Sequence, residues 1–194
     1  MASTQDIIDI KNRLIQSALE LAASSFWADI SMDDIIAHAQ VDHDDARVLF
    51  ADKIDILTAY GRQVDMQMVR NLYGTFGEVE TTRDKIFDTI MERFDILNDN
   101  RDGVLSILNA VTIDPKQAMH SLPNICNTIE KIMNVSGVNS NGWKGCILNV
   151  ALSGIYIKTL RTWAMDSSVD MATTMANLDK SLEHFETVCD KIGI

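Results

Sequence analysis

The sequence predicts an all-α protein, and three observations predict it. Only two prolines and nine glycines interrupt 194 residues, which leaves long runs without helix breakers. Apolar residues recur at helical spacing through almost all of these runs, and no segment sustains the two-residue alternation of a strand. Helix-start signals recur in one form, an oxygen-bearing cap followed three residues later by an acid. Ser31 with Asp34, Asp42 with Asp45, Asp52 with Asp55, Thr81 with Asp84 and Ser167 with Asp170 all fit it. Asp114 before Pro115 marks one more start, with proline at the first helical position.

These signals order the elements. Three short helices fill residues 5 to 50, the second over SMDDIIAHA and the third over DHDDARVLF, the cadence of a helix-turn-helix (HTH). A long helix follows from about residue 52 to about 72. The polar stretch YGTFGEVETT, 73 to 82, carries two glycines and little periodicity. It divides an N-terminal HTH-like domain, 1–62 with the connecting helix, from a C-terminal helical bundle, 73–194. Four or five longer amphipathic helices are expected there, the last two near 142–165 and 168–190.

Bulk chemistry narrows the function classes. A net charge of −11 and a pI near 4.6 oppose nonspecific attraction to nucleic acid or to an anionic membrane. Cys126, Cys146 and Cys189 are widely spaced and odd in number, which suits a reducing cytosol and fits neither a disulfide framework nor a zinc site. The start MASTQDIIDIKNR lacks the basic-then-apolar order of a signal peptide. The longest uncharged apolar stretch, 145 to 157, falls short of the ~20 residues of a membrane span. A cytoplasmic protein without a transmembrane segment is expected.

Catalytic chemistry has little to stand on. His38, His43, His120 and His184 are scattered without a partner at metal-ligand spacing, and no phosphate loop or nucleophile elbow is present. Asp88, Glu92 and Asp95 lie opposite Phe87, Met91 and Phe94 on a helix and read as a solvated face. No enzyme activity, cofactor or metal is expected. The apolar stripes are the better lead. Phe87, Ile90, Met91 and Phe94 form one, Ile125, Ile129 and Met133 a second, and Leu148, Leu152 and Ile155 a third. Such stripes build cores, but ten methionines and a bundle architecture suit a pocket for an apolar guest, which these residues would line.

Two stretches resemble known families. LIQSALELAASSFWADISMDDIIAHAQVDHDDARVLFADKIDIL resembles the N-terminal domain of the tetracycline-repressor (TetR) family, over roughly the first third of the chain. The first helix ends in FW, ISMDDIIAHAQV matches the second helix and turn, and LFADKIDIL the entry to the long helix. Gln40 stands where that family usually has a turn glycine, and Asp44, Asp45 and Arg47 replace small, polar and tyrosine residues. LSGIYIKTLRTWAMDSSVDMATTMANLDKSL, 152 to 182, is similar to the C-terminal helices of TetR-like proteins related to the lipid-binding accessory family of coenzyme Q biosynthesis. DSSVDMATTMANLD is its most telling part; of that family's aromatic approach to the penultimate helix, only Trp143 in NGWKG is present.

The resemblance implies a TetR-like fold and a transcriptional regulator whose C-terminal domain senses an apolar ligand and so alters operator affinity. The alternative it implies is a non-catalytic accessory protein of ubiquinone biosynthesis, binding a lipid or isoprenoid quinone, with a vestigial HTH. It also implies a homodimer built on the last two helices. Ile157, Leu160 and Trp163 on one, with Met171, Met175, Leu178 and Leu182 on the other, are the interface candidates. Charge bears on the choice. Residues 1–62 hold eleven acids against five bases, so DNA binding is expected to be weak, with His43, Arg47 and Lys53 the candidates for DNA contact.

Overall fold

The computed structural model describes residues 4–77, 79–113 and 115–192. Among the described residues there are nine helices and no strand. They are α1 (Thr4–Ser24), α2 (Met32–Ala39), α3 (His43–Leu49), α4 (Lys53–Asn71), α5 (Thr82–Asn98), α6 (Arg101–Ile113), α7 (Pro115–Val135), α8 (Gly142–Met165) and α9 (Ala172–Ile192). The all-α expectation holds. The first helix is not short, however: α1 has 21 residues, because its apolar spacing runs unbroken back to Ile7.

Caps start the helices where the sequence placed them. At α2, Ser31 and Asp34 form both bonds of a capping box. Asp52 accepts from the backbone N–H groups of Ile54 and Asp55, while Asp55 accepts from those of Ala51 and Asp52. Thr81 and Asp84 exchange the same pair of bonds ahead of α5. Asp42 caps α3 by accepting from the N–H groups of Asp44 and Asp45. The cap expected at Asp114 lies outside the described residues; α7 begins at Pro115 and runs through Pro123.

Two compact units result. One contains the described residues up to Val64 together with Leu97–Ser121. Helix α1 buries Leu14, Ile15, Ala18, Leu19 and Ala22 and packs against α2, α3 and α6. Trp27, Ile30, Ile35, Ala46 and Phe50 complete that core. A division by chain order near residue 73 assigns 97–121 to the second domain, whereas α6 packs on α1. Gly103 makes this possible, since a Cβ there would stand 2.5 Å from the Leu19 carbonyl oxygen. The other unit contains Asp65–Ile96 and the chain from Leu122 onward. Its centre is Ile90, Phe94, Ile129, Ile132, Met133, Leu152, Trp163, Leu178 and Leu182.

One start signal is corrected. Ser167 with Asp170 placed the last helix from about residue 168, yet α9 begins at Ala172. Asp170 and the Ser168 hydroxyl accept from the Ala172 N–H, and the deeper cap is Asp166. Its carboxylate accepts from the backbone N–H and hydroxyl of Ser168 and from the backbone N–H and hydroxyl of Thr174. Met171 turns the chain between them at φ +55°. The Ser168 hydroxyl, and after it Thr174, holds the Asp166 carboxyl well below the usual carboxylate range.

Gly103→Ala is expected to destabilise the chain by about 1–3 kcal/mol in chemical denaturation, because overpacking against Leu19 outweighs the gain in helix propensity. Gly154→Ala, whose Cβ meets nothing within 4 Å, is expected to be neutral or to stabilise by about 0.5–1 kcal/mol. The Asp166 contribution has a defined pH sign. A depressed folded value stabilises above the unfolded value of about 3.9 and is lost as pH falls through the folded one. Asp166→Asn is therefore expected to flatten the acid limb of a melting-temperature profile while lowering stability at neutral pH.

Candidate functional site

The first candidate surface is the helix-turn-helix, built from α2, its turn and α3. Gln40 ends α2 in the left-handed region, φ 52° and ψ 44°, where glycine is the easy choice. Arg13 on α1 holds that turn, its guanidinium donating to the Ala39 and Gln40 carbonyl oxygens.

The other cations near α3 are held by partners of the module itself. The Lys53 ammonium donates to the carbonyl oxygens of Trp27 and Ile30, each at 2.7 Å, and of Ala28 at 3.4 Å. It lies 4.8 Å from the Trp27 ring centroid. Those contacts account for all three of its donors. Burial pushes the Lys53 pKa down, against an opposing pull from Asp29. Arg47 donates to Asp33 Oδ1 at 2.7 Å and to the Ala51 carbonyl at 3.3 Å. His43 Nε2 lies 3.4 Å from the same Asp33 oxygen, and its Nδ1 3.9 Å from Asp44 Oδ1. The Arg47 hydrogen bond, aided by His43, lowers the Asp33 pKa. Of the three residues assigned to DNA contact, the structure thus gathers His43 and Arg47 on one acid and directs Lys53 into loop carbonyls. What faces solvent around α3 is Asp34, Asp42, Asp44, Asp45 and Val48, with His43 and Arg47 exposed beside their partner Asp33.

The second site lies in the bundle. Asp65 of α4 is buried, and its Oδ1 accepts from Arg93 Nε of α5 at 3.0 Å. The Thr128 hydroxyl of α7 reaches both carboxylate oxygens, and Lys131 of α7 donates to Oδ2 at 2.9 Å. Arg93 also donates to the Tyr156 hydroxyl of α8 and packs its guanidinium over that ring. Phe94 stacks on Tyr156 at 5.6 Å and on Trp163 at 5.8 Å. Burial pushes the Tyr156 phenol up. Sequence reasoning missed this network, although a signal was present. Ile86, Ile90, Arg93 and Leu97 share one helical stripe, so Arg93 occupies a core position.

The pocket candidates divide. Ile90, Met91, Phe94, Ile129, Met133 and Leu152 are buried in the centre of the bundle, while Phe87, Ile125, Leu148 and Ile155 are half-buried. Ile155 lines an open groove of about 510 Å³ between α8 and α9 with Ala151, Gly154, Lys158, Lys180, Ser181 and His184. The dimer candidates need correction. Trp163, Met171, Leu178 and Leu182 are buried within a single chain and are not available to a partner, while Ile157, Leu160 and Met175 are half-buried. The face that α8 leaves outward is instead Trp143, Ile147, Val150, Lys158, Arg161 and Met165. Helical spacing alone could not say which of two apolar stripes on α8 points inward. Among the described residues, no acidic, histidine or cysteine cluster has a metal-holding arrangement, and no helix is long and apolar enough to cross a membrane.

This arrangement is the TetR-like all-α fold. The TetR transcriptional regulator from Nitrosomonas europaea superposes with a TM-score of 0.72 at 20% identity, covering 90% of this chain and 96% of that one. A TetR regulator from a Rhodococcus species gives 0.68 at 11% identity, over 91% and 95%. Thermus thermophilus FadR, a TetR-family repressor solved with lauroyl-CoA, gives 0.62 at 16% identity, over 89% and 91%. In sequence, residues 118–189 match the model of the COQ9 family, so α7 to α9 carry that similarity. Curated protein sequences yield no match.

The coupling within the Asp65 network is measurable. Asp65→Leu is expected to destabilise by about 3–5 kcal/mol, because it strands the buried Arg93 without its carboxylate. Adding Arg93→Met to that change is expected to recover much of the loss. A double-mutant cycle in urea checks both, and additive single effects would contradict the coupling.

Proposed function

We propose that this protein is a non-catalytic, ligand-binding member of the TetR fold class whose ligand is a lipid or another apolar molecule. In this reading the helix-turn-helix is retained as a folded module with little affinity for DNA. One observation carries the second half. Lys53, the best-placed cation near the docking helix, is committed to loop carbonyls, and Arg47 is paired with Asp33 on a surface rich in exposed carboxylates. Phosphate contacts supply most of nonspecific DNA affinity, and this module offers acids where they would form. The ligand half is supported by the COQ9 similarity of residues 118–189 and by a structural neighbour solved with an acyl thioester. An isoprenoid quinone or its precursor is the lipid the COQ9 similarity favours.

A regulator is the second reading. Its support is that α2, the turn and α3 keep complete caps and full helical order, which a module without a docking partner does not need for charge reasons. Anisotropy titrations with generic and genomic duplexes at two salt concentrations separate the two. The wild type is expected to bind weakly at near-physiological salt. Asp44→Lys with Asp45→Lys is expected to bind generic duplex more tightly, its log–log salt slope steepening by about 0.9 for each additional phosphate neutralised. Tight, sequence-selective binding by the wild type that Lys53→Ala abolishes would establish the regulator instead.

A further inference from the structure

The connection from α7 to α8 ends on the pair Asn141–Gly142. Of the chain's asparagines, only Asn141 precedes a glycine. Both residues are exposed, and the Asn141 side chain makes no bond to the helix it caps. Gly142 sits in the left-handed region at φ +71°, where a Cβ would meet nothing within 4 Å. The first turn of α8 holds no acid and carries Lys144. Gly145 lies so close to the connection that a Cβ there would stand 2.1 Å from the Ser140 carbonyl oxygen.

These features favour one reaction. A peptide nitrogen can attack the side-chain carbonyl carbon of the preceding asparagine when no Cβ shields it and no helical bond restrains it. The Gly142 nitrogen meets both conditions, since the first N–H of a helix has no acceptor within that helix. From ψ 152° the ring needs a turn about the Asn141 Cα–C bond, in a stretch that lies outside the described helices. Other positions lack the combination. Asn139 precedes a serine, and its side-chain oxygen accepts from the Asn141 N–H at 2.9 Å. Asp102–Gly103 has the small neighbour but lies inside α6, with its glycine against the Leu19 backbone.

We propose that Asn141–Gly142 is a site of spontaneous deamidation that rewrites the start of α8 as the chain ages. The Gly142 nitrogen gives its proton to base and bonds to Asn141 Cγ. The Cγ–Nδ2 bond breaks and ammonia leaves, which gives a succinimide. Water then opens either ring carbonyl, to aspartate or to isoaspartate at position 141. The sum is one water consumed and one ammonia released, with no oxidant, metal or enzyme required. The aspartate form places a carboxylate at the positive end of α8, three residues before Lys144. The isoaspartate form lengthens the main chain by a methylene where the Ser140–Gly145 approach leaves no room for it. The two products therefore act on α8 in opposite directions.

The test is prolonged incubation of the full chain at physiological temperature, at neutral and at mildly alkaline pH. Peptide mass mapping and isoaspartate-specific enzymatic methylation then read the outcome. The mass change of amide to acid is expected at Asn141 ahead of every other asparagine, faster at the alkaline pH, with methyl acceptance rising in step. Asn141→Ser is expected to remove that methyl acceptance and to stay folded, because serine is also a good helix cap. Asn141→Asp is expected to raise the melting temperature by about 1–3 °C. Aged wild type rich in isoaspartate is expected to melt below the fresh chain. If Asn141 keeps its amide while other asparagines convert, or if Asn141→Ser leaves methyl acceptance unchanged, the proposal is overturned. If Asn141 converts but fresh chain, aged chain and Asn141→Asp all melt together, the site stands and its effect on α8 is overturned.

Discussion

The second unit depends on one buried carboxylate. Asp65 draws a guanidinium from α5 and a hydroxyl and an ammonium from α7, and through Arg93 it reaches the phenol on α8. A lone charge in such an interior costs far more than a paired one returns. Each partner is therefore needed by the others, and the helices have little freedom to slide in register. The apolar residues around the network accept many packings, whereas these hydrogen bonds accept one. The Phe94, Tyr156 and Trp163 rings then take their places from Tyr156, whose hydroxyl Arg93 holds.

The first unit applies the same economy of charge to a different end. Three of its cations bond to oxygen atoms of its own helices and turns. Arg13 closes the α2–α3 turn, Lys53 gathers the loop between α1 and α2, and Arg47 joins α3 to α2 through Asp33. Each bond makes the helix-turn-helix more definite in shape. Lys53 is thereby drawn off the surface, whereas Arg47 stays on it in an ion pair with Asp33. A match of fold alone is a poor guide to the partner.

Much of this fold was legible in the sequence because it rests on local chemistry. Caps at Ser31, Asp42, Asp52 and Thr81 act within three residues, and their spacing can be read directly. The cap at Asp166 acts across eight residues through a left-handed Met171, and no three-residue pattern reveals it. Packing partners were harder. Gly103 looks like any helical glycine until the Leu19 backbone is found against it. Trp163, Leu178 and Leu182 lie at the spacing of an interface, and only burial shows that their own chain uses them. Arg93 was the readable sign of the buried network, a charge inside an apolar stripe, but its partner Asp65 lies 28 positions away.

The acceptors around Lys53 limit what evolution can do with this module. They are peptide carbonyls of residues 27, 28 and 30, and no replacement of a side chain deletes a carbonyl. Mutations elsewhere in the loop would have to move its backbone to liberate the ammonium, disturbing the packing of Trp27 as they did so. Arg47 differs, since losing Asp33 alone would release much of its hold. A descendant whose module gained positive charge on this surface would do so more readily by recruiting fresh basic residues on the outer face of α3 than by freeing the lysine already there. The history of such a lineage would show as gain of charge at positions 44, 45 and 48, with position 53 left as it is.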